Sequence, residues 1–176
     1  NSSSIAENAL IRIDEKISSL LKNSIATAEK INYGKYYALI IGNNNYKYLP
    51  KLSNAVNDAK AVANILEKKF NFTNTILENA TREEVLDAIY DLRSINEKDN
   101  ILIYYSGHGY KDSAAETAYW QPINAKANKP SSWIPENELK SQLKAIKAKH
   151  VMIVADSCFS GSILKGIKIT NIEDLR

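Results

Sequence analysis

The chain has 176 residues, 44% of them hydrophobic, and 23 Lys and Arg against 20 Asp and Glu leave a net charge of +3. That is enough apolar material for one domain with a substantial core; the charges are mixed along the chain, which argues against a nucleic-acid or membrane partner, and no apolar run reaches transmembrane length. A single cysteine, Cys158, excludes an internal disulfide and suits a reducing, cytoplasmic setting.

In chain order, Leu10, Ile13, Ile17, Leu20, Leu21 and Ile25 recur at helical spacing within about Ser4 to Lys30, which predicts an amphipathic helix. That helix can dock on the domain, pair with a partner or lead to a further domain. Asn32 to Lys35, with Gly34, reads as a boundary. Tyr37 to Ile41 is a strand, Asn43 to Pro50 a polar loop, and Ser53 is placed to cap a helix to about Lys69 with Val56, Ala59, Val62, Ala63 and Leu66 inward. A strand near Thr75 to Leu77 follows. Thr81-Arg82-Glu83-Glu84 reads as a capping box that opens a helix burying Val85, Ile89 and Leu92. After the strand Ile101 to Tyr105 comes a long loop, Tyr110 to Ser132, over which Tyr119, Trp120 and Trp133 pack as core aromatics. A helix from Pro135 to Lys147 then leads to the strand Val151 to Ala155. This β-α-β-α-β-α-β alternation predicts an α/β domain, a mostly parallel sheet with helices on both faces.

Two of these strands carry chemistry at their ends. Ile101-Leu102-Ile103-Tyr104-Tyr105 is followed by Ser106-Gly107-His108-Gly109, and Val151-Met152-Ile153-Val154-Ala155 by Asp156-Ser157-Cys158-Phe159-Ser160-Gly161. Both runs are apolar on both faces, as buried parallel strands are. Neighbouring strands lie roughly 5 Å apart, so adjacent carboxyl ends bring an imidazole within reach of a sulfur. A free thiol is a poor nucleophile at neutral pH, and a nearby histidine activates it by taking its proton and pairing with the thiolate. His108 then protonates the leaving amine. The N–H groups of Gly109 and Cys158 are the candidate oxyanion donors. No third catalytic side chain is evident, and a backbone carbonyl can orient the imidazole instead. His150 reads as an ordinary exposed residue, and one cysteine with two dispersed histidines offers no zinc-module spacing.

At these residues the chain resembles the caspase-like cysteine peptidases. Tyr37-Ala38-Leu39-Ile40-Ile41-Gly42-Asn43 looks like the family's first strand and Leu52 to Ala59 like the start of its first helix, so the resemblance spans about Lys35 to Leu164. It implies a three-layer caspase-like sandwich lacking the small-subunit strands: a helix and linker at 1–34, a large-subunit catalytic domain at 35–164 and a processing segment at 165–176. It is similar most of all to the metacaspase and paracaspase branch, in which an aspartate two residues before the nucleophile and another in the first helix line the specificity pocket; those positions are Asp156 and Asp58 here. Paired carboxylates accept a guanidinium and repel an acidic side chain, so the implied cut is after Arg or Lys. Each aspartate also has a local reading, Asp58 as a helix-dipole partner and Asp156 as a turn former.

Some metacaspases need calcium, but the loop segments 126–132 and 165–168 are poor in ligands for a hard cation, so no cofactor is expected. The chain ends on Arg176, the residue a basic-specific protease leaves after cutting itself, although a chosen boundary gives the same end. The resemblance further implies autoproteolytic control and a small-subunit fragment of the same precursor as partner, set against the exposed edge of the cysteine strand. Two other readings stand beside the peptidase. One is a catalytically silent signalling scaffold, against which the intact Cys158 and His108 count. The other is a small-ligand-binding doubly wound domain, which would want a glycine-rich phosphate loop after the first strand, and Gly42-Asn43-Asn44-Asn45 does not supply one.

Overall fold

The computed structural model describes residues 15–19, 22 and 33–157. By its contacts the chain divides into Asn1–Tyr33 and Gly34–Arg176. In the first unit 15–19 and 22 are helical, with Ile17 half exposed; Leu10, Ile13, Leu20, Leu21 and Ile25 of the expected apolar stripe lie outside the described residues. So do Cys158 and the segment after it.

In the second unit the three apolar runs become strands: β1 (Tyr36–Gly42), β3 (Asn100–Ser106) and β7 (His150–Asp156). Together with β2 (Thr73–Glu78) they form a wholly parallel sheet in the order β2-β1-β3-β7. Side chains alternate across its plane, as the two-residue period of a strand requires. Leu39 and Ile41 of β1, Ile101, Ile103 and Tyr105 of β3, and Val151, Ile153 and Ala155 of β7 join one cluster. Ala38, Ile40 and Tyr104 join another.

Each face carries its own helices, which gives the three layers expected. Helix α1 (Ala55–Phe70) sets Ala59 and Ala63 against Ala38, Ile40 and Tyr104, with Val62 and Leu66 partly buried at the margin. Helices α2 (Arg82–Asp91) and α3 (Glu136–Lys144) cover the other face with Val85, Ile89, Leu139 and Leu143. Arg82 ties these two helices together, pairing with Glu138 and donating through Nε to the Trp133 carbonyl.

Two expectations need correcting. Ser53 does not cap α1: the residue at the cap is Asn54, which makes no side-chain capping bond. Asn44, in the loop after β1, supplies the acceptor instead, its Oδ1 receiving the Val56 N–H at 3.2 Å while its Nδ2 donates to the Ser53 carbonyl. The expected loop 110–132 holds a second, antiparallel sheet, β4 (Gly109–Asp112), β5 (Thr117–Trp120) and β6 (Ile134–Pro135), in the order β4-β5-β6. The strands escaped notice because they are short and their turn contains no glycine; the left-handed position falls to Glu116 at φ 49°, and Asp112 Oδ1 accepts the N–H groups of Ala114 and Ala115. The expected aromatics do form core, Trp120 and Trp133 being buried, with Trp120 stacked on Tyr105 at 4.4 Å.

The box at the head of α2 forms in full: Glu84 N–H donates to Thr81 Oγ1, and the Thr81 N–H and hydroxyl donate to Glu84 Oε2 at 2.7 and 2.9 Å. Those bonds, the backbone N–H first, hold the Glu84 carboxyl below its ordinary range. A lowered carboxylate contributes stability that is present above its unfolded pKa and lost as pH falls through the folded one. Thr81→Ala is expected to lower the unfolding free energy by about 1 kcal/mol, with Thr81→Ser restoring most of it, as urea denaturation would read. Glu84→Gln is expected to flatten the acid limb of stability against pH, and an unchanged limb would refute the coupling. Ile103→Ala, at a fully buried position between β1 and β7, is expected to cost about 3 kcal/mol in the same assay.

Candidate active site

Parallel pairing places Gly42, Ser106 and Asp156 side by side at the carboxyl ends of β1, β3 and β7. The strand order reverses between β1 and β3, because β1 connects outward to β2 and β3 outward to β7. The loops leaving these two ends therefore diverge and open a crevice, the usual ligand position in an open α/β sheet. His108 enters it from β3 and Pro50 from the loop after β1.

The imidazole of His108 is anchored from this second loop. His108 Nε2 lies 2.8 Å from the Pro50 carbonyl oxygen. A carbonyl only accepts, so this contact places the ring proton on Nε2 and leaves Nδ1 as the basic nitrogen. The ring also packs against Tyr46 with centroids 4.5 Å apart. Behind the ring, the His108 N–H donates to Tyr46 Oη at 2.7 Å, and the His108 carbonyl accepts from Tyr105 Oη at 2.8 Å and from the Gln121 N–H at 3.0 Å. Gly107 is required by this crowding, since a Cβ there would sit 2.6 Å from the Tyr46 hydroxyl and 2.9 Å from that of Tyr105.

Gly109 opens β4 opposite Trp120. The bond from Gln121 N–H to His108 O brackets that pair, which makes it a non-hydrogen-bonded pair of the ladder. Gly109 accordingly directs its N–H away from β5, toward the open edge. Ser157 lies beside Gly109, its Oγ 3.0 Å from where a Cβ on Gly109 would sit. Cys158 itself is outside the described residues.

The two aspartates are exposed and converge on one phenol. Tyr104, packed under α1, donates to Asp156 Oδ2 across a long 3.4 Å contact. Its ionisation is pushed up first by burial, then by the negative charge of Asp156 and, further down, of Asp58. Asp58 adjoins Ala59, which packs on Gly42 at the end of β1. The site thus contains an acidic, solvent-facing corner floored by Tyr104, one strand position from the start of the His108 loop.

His150 stands at the opposite end of the sheet, exposed but bonded through Nδ1 to Asn100 Oδ1 at 2.8 Å. Among the described residues no three His, Cys, Asp or Glu side chains gather as a metal site would need. No helix among them is long and apolar enough to cross a membrane. Tyr46, Pro50 and Tyr105 escaped the sequence reading because each meets the histidine through a backbone atom of one partner, and Tyr46 and Pro50 come from a distant loop. Their signal was the run Asn43 to Pro50 between a buried strand and a helix, polar and aromatic where a plain connection would suffice.

Comparison with known proteins agrees with this geometry. The caspase domain family matches residues 35–173. Over 127 residues the chain is 30% identical to the human mucosa-associated lymphoid tissue lymphoma translocation protein 1, an alignment covering 69% of this chain and 15% of that protein. Among solved structures, protein GSU0716 from Geobacter sulfurreducens superposes with a TM-score of 0.57 at 25% identity, covering 70% of this chain and 50% of its own. The Drosophila initiator caspase Dronc shares the fold, with a TM-score of 0.55 at 13% identity over 70% of this chain and 49% of its own. The chain thus spans about half of those structures and a smaller part of the human protein. With its parallel sheet layered between helices and its match across most of the length, the chain belongs to the caspase domain family.

Proposed function

We propose that this domain is a cysteine endopeptidase that cuts after Arg or Lys. The observation that supports it best is the anchored imidazole: Nε2 bonded to the Pro50 carbonyl and Nδ1 left basic at the carboxyl edge of the sheet. Ser106 and Asp156 are register partners, and His108 and Cys158 each follow their partner by two residues. Ser157, the residue before Cys158 in the chain, lies beside Gly109.

In this mechanism Nδ1 of His108 takes the Cys158 thiol proton and the thiolate attacks the scissile carbonyl carbon. The N–H groups of Gly109 and Cys158 receive the oxyanion. As the tetrahedral species collapses, the C–N bond breaks and His108 returns its proton to the leaving amine; water, deprotonated by the same histidine, then hydrolyses the thioester. Asp58 and Asp156 bind the basic side chain before the scissile bond. Removing either leaves one carboxylate, and a charge-assisted hydrogen bond is worth roughly 1.5–3 kcal/mol.

The partners of this reading are peptide or protein substrates with Arg or Lys at the cut, and a small-subunit fragment of the same precursor paired on β7. That strand is an edge among the described residues, and Met152 on it is 59% exposed. In this reading the catalytic portion is 35–164, preceded by an amphipathic helix and linker within 1–34 and followed by a processing segment at 165–176 cut by the enzyme itself. No cofactor takes part, and a thiol nucleophile suits a reducing compartment, which supports a cytoplasmic setting for this reading.

Peptide pairs differing only in Arg, Lys or Asp before the scissile bond test this reading. Cleavage after Arg and Lys is expected, abolished in Cys158→Ala and His108→Ala, with kcat/KM for the Arg peptide lowered about 10- to 100-fold in Asp58→Asn or Asp156→Asn. A preference for Asp would overturn the pocket. Cleavage of none, with and without added calcium, would favour a silent scaffold.

A further inference from the structure

Beneath the catalytic edge lies a buried polar cluster that the reaction itself does not consume. Tyr46 is 3% exposed, Tyr105 1% and Asn43 0%, in a layer otherwise built from aliphatic and aromatic side chains. Burying such groups costs unless they are satisfied, and the two phenols find partners on the backbone of one residue, the N–H and the C=O of His108.

The protons can be traced. His108 N–H donates to the Tyr46 oxygen. The carbonyls of His108 and Gln121 can only accept, so the proton that meets them belongs to Tyr105. The two phenol oxygens thus hold one residue from both sides, Tyr46 at the His108 N–H and Tyr105 at the His108 C=O. Asn43 lies beside both phenols, its Oδ1 accepting the Ala80 N–H at 2.8 Å. Burial raises the ionisation of both phenols, most strongly for Tyr105, so both hydroxyls stay neutral through the physiological range.

We propose that Tyr46 and Tyr105 are positioning residues for His108, acting as one hydrogen-bonded clamp on its backbone while the Tyr46 ring and the Pro50 carbonyl set the plane of its imidazole. The proposal rests on the peptidase reading for its readout but concerns a different set of atoms. Backbone clamping matters here because His108 follows Gly107, which has no Cβ to limit its own torsions, and precedes another glycine. Without the phenol oxygens the His108 backbone keeps only the Gln121 N–H, on a loop with a glycine on each side. Because the two hydroxyls hold the N–H and the C=O of the same residue, their losses are coupled and do not add.

The experiment is a double-mutant cycle of Tyr46→Phe and Tyr105→Phe in the full chain, with two readouts. One is kcat and KM on an Arg peptide. The other is the rate of Cys158 alkylation by iodoacetamide across pH, which reports on thiol activation without any substrate pocket, with Cys158→Ala as the blank. Tyr46→Phe keeps the ring and removes only the oxygen; it is expected to lower kcat roughly tenfold at unchanged KM, to slow alkylation near neutral pH in parallel, and to be no worse when combined with Tyr105→Phe. Thermal unfolding of each variant is measured alongside. Parental alkylation and kcat in a folded Tyr46→Phe protein would overturn the clamp, as would losses that add. If Tyr105→Phe fails to fold, Tyr46→Phe alone decides by the same two rates. A parent that alkylates rapidly but cuts no Arg peptide would sink the substrate reading, and slower alkylation in Tyr46→Phe would then still support the clamp.

Discussion

Parallel register is the constraint on which the rest of the molecule depends. Because β1, β3 and β7 pair without offset from Tyr36, Asn100 and His150 onward, their carboxyl ends finish together at Gly42, Ser106 and Asp156. A slip of one residue would exchange the two faces of a strand and send Tyr104 and Tyr105 to the wrong layers. The apolar alternation enforces the register from both sides at once, since Leu39, Ile103 and Ile153 serve one core and Ala38, Ile40 and Tyr104 the other. A sheet buried on both faces has little freedom to shift, and the chemistry at its edge inherits that rigidity.

The adjacent tyrosines of β3 show how one strand serves two purposes. Tyr104 points under α1, toward the acidic corner of Asp58 and Asp156. Tyr105 points to the other layer, stacks on Trp120 and bonds the His108 and Gln121 carbonyls. Strand pleating alone separates them. One residue thus borders the corner that would read a substrate side chain, and the next supports the loop carrying the histidine. The small antiparallel sheet completes the arrangement, because Trp120 and Gln121 reach this position only as the end of β5.

Local signals in the sequence carried through wherever neighbouring residues decide the outcome. The capping box at Thr81 and Glu84 is a four-residue interaction and forms as read. The apolar runs of β1 and β3 declare buried strands, that of β7 a strand buried on one face with Met152 exposed on the other, and the helix stripes of α1, α2 and α3 follow a 3.6-residue period. Ser53 misled because the acceptor for the α1 N-terminus is Asn44, twelve positions before Val56, and helix capping rules consider only adjacent residues. The β4-β5 hairpin was concealed by a turn built on Asp112 and Glu116 in place of glycine.

The sequence by itself determined the alternation of elements, the two apolar strands that end in His108 and in the Asp156-Ser157-Cys158 run, and the family to which such a pair belongs. These are properties of short segments, set by period, propensity and motif. Only the tertiary structure decided what surrounds the histidine: the Pro50 carbonyl on Nε2, the phenols of Tyr46 and Tyr105 on its peptide groups, and the convergence of Asp58 and Asp156 upon Tyr104. Those contacts join residues separated by as many as 62 positions in the chain. No local pattern encodes them, because they arise from the strand order that folds the loop after β1 against the loop after β3.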